Sequence, residues 1–132
     1  MRYLCLIHAE RTYEDMAEDE AVPLVREFRR FTEDLRASGQ YLGSNRLLPA
    51  ATATTVRVRN GRLSITDGPF AETKEQLGGY FLIEARDLNE AIQVASRIPA
   101  ARHGAIEVRP VAAPIRLPGD PEPAAAEARA RV

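Results

Sequence analysis

Cysteine occurs once, at Cys5, and histidine twice, at His8 and His103. A single thiol excludes an internal disulfide, and no Cys/His cluster has metal-ligand spacing, so no metal and no cofactor is expected. Neither sign of charge is in excess: 18 basic against 19 acidic side chains leave a formal net charge of −1. That balance argues against direct nucleic-acid binding, because a chain that grips phosphates carries a basic surplus. Long hydrophobic runs are missing as well. No stretch approaches the ~20 apolar residues of a membrane span, and the opening MRYLCLIHAE turns acidic too soon for a secretory signal. The expectation is a cytoplasmic chain with no membrane partner. What is present is 45% hydrophobic and 28% charged side chains in 132 residues, which suits one domain with one core and rules out a wholly disordered chain.

Tyr3–Ala9 is apolar at nearly every position, with Tyr3, Cys5 and Ile7 on one face of a strand and Leu4, Leu6 and His8 on the other. A strand oily on both sides must be covered on both. The acid-rich stretch 10–20 reads as a loop leading into a helix N-terminus, where acids favour the positive dipole end; its spacing fits no calcium loop. Leu24, Phe28, Phe31 and Leu35 recur at helical steps and predict a helix over Val22–Ser38, with Pro23 in its first turn and Gly39 capping its end. Tyr41–Leu47 predicts a short strand. Val56 and Val58 alternate with Arg57 and Arg59, Asn60-Gly61 is a hairpin turn, and Leu63 and Ile65 alternate with Arg62 and Ser64. Asp67-Gly68-Pro69 is turn chemistry, followed by a short helical or irregular link to Gln76. Gly78–Arg86 is a second strand apolar on both faces. Asp87–Glu90 predicts a capping box opening a helix that buries Leu88, Ile92, Ala95 and Ile98 and stops before Pro99. Ala105–Val111 is the last strand, with Ile106 and Val108 inward.

The predicted fold class is α+β. With the hairpin set aside the order is βαββαβ, the ferredoxin-like plan, in which both helices cover one face of an antiparallel sheet. The other face is oily too, and the simplest cover is a second copy, giving a homodimer with a barrel-like interior. The domain is expected to span residues 1–111. Residues 112–132, rich in proline and alanine, are expected to form a flexible tail.

Thr66–Tyr80, TDGPFAETKEQLGGY, resembles the signature of the DGPF branch of the YCII-related family. The opening MRYLCLIH, the ATATTVR approach to the hairpin, the 87–95 helix and IEVRP at 106–110 resemble it too. The resemblance implies a dimeric α+β barrel, and an association of some members with sigma factors of the extracytoplasmic-function type. It brings no settled activity. In the YciI branch a His and an Asp at the first helix are a proposed catalytic pair, whereas the helix here has no histidine and only Asp34.

The candidate residues each carry two readings. Asp67 is either a general base facing a cavity or an acceptor within its own turn. Phe70 either stacks on a ligand or plugs the core or a dimer seam. Glu72, Lys74 and Glu75 are either a solvated face or a set turned inward, with Lys74 orienting an anionic or carbonyl-bearing ligand and Glu72 exchanging a proton. His8 is a satisfied structural residue or a proton shuttle near neutral pH. Arg57 and Arg109 either hold a carboxylate bidentately or pair with acids on a wet face. Three functions follow: a module binding a small polar-aromatic or carboxylate ligand in a pocket between the sheets of the dimer, a cofactor-free isomerase- or hydrolase-like enzyme using Asp67 or Glu72 with His8, or an interaction module for a sigma factor.

Overall fold

A computed structural model describes residues 1–122. In chain order it contains β1 (Arg2–Ala9), α1 (Glu18–Ala37), β2 (Tyr41–Arg46), β3 (Thr54–Arg59), β4 (Arg62–Asp67), β5 (Gln76–Glu84), α2 (Leu88–Ser96) and β6 (Ala105–Pro110). Short 3₁₀ turns lie at Tyr13–Asp15, Ala50–Thr52 and Pro99–Arg102. Four strands form one sheet in the order β2-β5-β1-β6, every neighbouring pair antiparallel. The two strands apolar on both faces, β1 and β5, are the central pair, as covering both faces demands. Without β3 and β4 the arrangement is an α+β one compatible with a ferredoxin-like fold.

Alternation along β1 and β5 turns Tyr3, Cys5, Phe81 and Ile83 to one face, where they are at most 5% exposed. Phe31 and Leu35 of α1 and Ala91, Val94 and Ala95 of α2 close over them, together with Ile98 just beyond α2. Each fully buried aliphatic such as Leu35, Ile83 or Ile98 contributes roughly 1.5–3 kcal/mol relative to exposure. Phe81 anchors the aromatic part of this core, with Phe31 edge-on at 5.1 Å between centroids and Phe28 stacked at 6.4 Å. On the opposite face Leu4, Leu6, Tyr80 and Leu82 are half-buried in the single chain. Glu107 and Arg109 lie beside them, opposite Leu6 and Leu4.

Three local expectations are corrected. Helix α1 begins a turn before Val22, so Pro23 sits inside the helix. One ladder bond to the Asp19 carbonyl is lost, while Glu18, Asp19 and Glu20 in the first turn favour the dipole and support the earlier start. The buried stripe of α2 is Ala91, Val94 and Ala95, continuing to Ile98, and Leu88 and Ile92 stand 48% and 50% exposed. Small side chains let the helix lie close on the sheet, which outweighs the greater hydrophobicity of Leu and Ile. The box at its start is half-formed: Asp87 Oδ1 accepts the Glu90 N–H at 2.9 Å, but Glu90 reaches back to the Arg86 N–H at 3.2 Å.

β3 and β4 make a separate two-stranded sheet. Asn60 and Gly61 both take positive φ, 53° and 73°, the type I′ turn that Asn-Gly favours. The pairs Val56–Ile65 and Val58–Leu63 share one face, and these four side chains are 59–64% exposed. The base is tied by the Gly68 N–H to the Ala53 carbonyl at 2.7 Å and by the Thr55 hydroxyl to the Gly68 carbonyl at 2.8 Å. The link from Pro69 to Glu75 is irregular, not helical. After β6, the Val111 N–H donates to the Arg2 carbonyl at 2.9 Å, and residues 112–122 have no helix or strand. The rest of the expected tail, 123–132, lies outside the described residues. Among the described residues no helix is long and apolar enough to cross a membrane.

Candidate functional site

The end of β1, the end of β2 and the start of β5 meet at one end of the sheet, and the loop from β1 to α1 crosses it. A cleft of about 1140 Å³ opens there on the helix-covered side, with Ile7, Leu24, Phe28, Leu47 and Leu77 among its apolar walls. Gly79 makes the floor possible. A Cβ there would stand 2.8 Å from the Asn45 carbonyl oxygen, so only glycine lets β2 lie this close to β5.

The loop over the cleft is shaped by its own acids. The Asp15 carboxylate accepts the Thr12 N–H at 3.1 Å and the Thr12 hydroxyl at 3.2 Å, which winds the 3₁₀ turn and aims Tyr13 inward. The Tyr13 ring meets Phe28 edge-on at 6.4 Å, and the Arg46 guanidinium lies 5.2 Å above it. Arg46 also donates to Glu14 Oε1 at 2.9 Å. Tyr13, Glu14 and Arg46 together form a clasp between the loop and β2. Burial raises the Tyr13 phenol pKa, with the Arg46 charge opposing it, and the Arg46 hydrogen bond lowers that of the Glu14 carboxyl. Deeper along β2, the Tyr41 and Ser44 hydroxyls are hydrogen-bonded at 2.8 Å, and Arg36 lies 4.6 Å over the Tyr41 ring; the Ser44 bond leads in lowering the Tyr41 pKa.

The residues singled out from sequence lie elsewhere. His8 is on the helix-free face near the end of β1, its Nε2 3.3 Å from Glu107 Oε1, with the His8 side chain 29% exposed. Lys74 pairs with Glu10 at 3.1 Å, and both pairs line a shallow groove of about 620 Å³. Gly104, just before β6, packs against the end of β1, where a Cβ would collide with the His8 carbonyl oxygen. Arg57 stands 5.4 Å from the Phe70 ring, on the hairpin face away from the aliphatic pairs. Phe70 is 80% exposed, which corrects the expectation of a core plug: the turn before it carries it away from the domain. Asp67 ends β4 opposite Thr54 and is exposed, as are Glu72 and Arg109. His8 and Lys74 are brought together, and Arg57 meets Phe70. None of the seven lines the large cleft. Among the described residues no group of three or more His, Cys, Asp or Glu could hold a metal ion.

Sequence reasoning missed Tyr13, Glu14 and Arg46. The one available signal was a tyrosine inside an otherwise polar, acid-rich loop, where solvation alone does not call for an aromatic ring.

A βαββαβ sheet with a cleft beside its first helix defines a class of small α+β domains. The YCII-related domain matches this chain over residues 1–114, and the chain belongs to that family. A protein of Rhizobium meliloti (strain 1021), named as uncharacterized, is 46% identical over 69 residues, 51% of this chain and 56% of that protein. The aligned part thus spans little more than half the length of that relative.

Proposed function

We propose that this YCII-related domain, of the DGPF branch by its Thr66–Tyr80 signature, binds a small aromatic carboxylate and works as a homodimer. The observation that carries the reading is the cleft under the Tyr13 clasp. Its walls are largely apolar, its volume of about 1140 Å³ lies just above the usual range of small-molecule sites, and Tyr13 and Arg46 line it, with Glu14 held on Arg46. A ligand ring would pack beside Phe28, and its carboxylate would take the place of Glu14 on Arg46. The second copy would cover Leu4, Leu6 and Leu82 on the helix-free face, leaving the cleft free.

The exchange of one carboxylate for another makes a signed prediction. Arg46→Met is expected to weaken a benzoate- or cinnamate-type ligand at least tenfold, and Glu14→Gln to tighten it by removing the internal competitor. Calorimetric titration of hits from a thermal-shift screen measures both, since selective binding to the native state raises apparent stability. If no aromatic carboxylate shifts the melting temperature at millimolar concentration, or both variants bind like the parent, the reading fails.

A second reading takes its support from the His8–Glu107 contact, which suits a proton-transfer pair in the groove beside Lys74. On that reading His8→Ala abolishes turnover of a bound ligand without changing its affinity. Ligand turnover undiminished in His8→Ala rejects it.

A further inference from the structure

We infer that the β3–β4 hairpin is an arm with which one copy of this chain holds a second copy. The inference rests on the homodimer reading above and names the element that carries the contact.

A two-stranded hairpin alone in water is marginal and gains stability when one face packs against something. This one has an apolar face that the described residues leave largely exposed. Val56, Val58, Leu63 and Ile65 form two cross-strand pairs, 59–64% exposed, in one uninterrupted strip. Its strand edges are not bonded to the four-stranded sheet. A strip of this kind measures on the order of 400 Å², about half of the ~800 Å² that each partner contributes to a stable interface. The half-buried leucines of the helix-free face supply further apolar area in the same dimer.

Charge points to a second copy as the occupant. The hairpin's other face carries Arg57, Arg59 and Arg62, none of them in an ion pair among the described residues. The body carries Glu18 and Asp19 in the first turn of α1, equally without ion pairs there. One chain does not bring these two sets together. Two copies related by a two-fold axis can do so twice, each arm reaching the other's acids while its aliphatic face is buried.

The test is sedimentation equilibrium of the full chain and of Val58→Asp/Leu63→Asp. Both positions are exposed in the single chain, so circular dichroism should be unchanged. Expected is a micromolar or tighter dimer for the parent, at least a hundredfold weaker self-association for the variant, and amide exchange at 54–67 that slows as parent concentration rises. An unchanged dimer in the variant overturns the arm and leaves the homodimer standing. Exchange at 54–67 independent of concentration while the dimer forms also overturns it, because the strip is then open or covered by something other than a second copy. A parent that stays monomeric removes the homodimer and the arm together. Should the aspartate variant unfold, Arg57→Glu/Arg59→Glu/Arg62→Glu reads the same contact through charge. At least tenfold weaker association at low salt is expected, and no change overturns the arm.

Discussion

Cys5 sits at the centre of β1, fully buried under the helices, and burial pushes its thiol pKa up to about 11 from an ordinary value of 9.0. The folded state therefore favours the neutral thiol. Its contribution is complete below about pH 9 and is lost as pH rises through 11, because the unfolded chain ionises first. Two units correspond to about 3 kcal/mol, so stability should fall by about that much more across this window in the parent than in Cys5→Ala. Urea unfolding at pH 8, 9, 10 and 11 measures the difference, and parallel curves would refute it. The same burial predicts a thiol that resists a disulfide reagent at pH 8 until the chain unfolds. Position, not residue type, makes this cysteine inert.

Among the elements, the hairpin is the most exposed to a single substitution. Gly61 at φ 73° follows Asn60 at φ 53°, and a β-branched residue resists that region. Gly61→Val should melt residues 54–67, seen as amide exchange there approaching the unstructured rate, while protection in β1 and β5 stays as it was. Equal protection of the hairpin in the variant would show that the turn does not govern the strands. The same independence explains what was legible beforehand. Periodicity of two and the Asn-Gly pair placed β3 and β4 within two residues, since a hairpin's geometry is local. Oily faces marked β1 and β5 as central, since burial on both sides leaves a direct trace in composition. The face of α2 was less readable, because a close approach to the sheet selects Ala91 and Ala95 over larger neighbours and depends on distance, which sequence does not carry. The cleft was not readable at all. Tyr13 and Arg46 meet only after β1, α1 and β2 have folded, and neither residue marks the other along the chain.

At the scale of the whole molecule, the two faces of one sheet are furnished differently. Helices and the candidate cleft occupy one, and the half-buried leucines with the His8–Glu107 groove occupy the other. On the reading proposed above, contact through the helix-free face leaves the cleft open, and only the hairpin arm would reach the first turn of α1, whose Glu20 lines it. The last backbone tie to the sheet is the Val111 N–H on the Arg2 carbonyl, beyond which Ile115 is 90% exposed and Leu117 65%. A chain ending at Ala112 should keep its melting temperature within about 2 °C, since residues 113–122 bury little apolar surface. Scanning calorimetry checks this, and a loss of more than about 5 °C would mean that the removed segment belongs to the core. The β3–β4 unit has a further consequence. Closed on itself across its base by Ala53, Thr55 and Gly68 and unbonded to the four-stranded sheet, it is a separable part: a change in its length or its charges should leave the chamber beside α1 as it is.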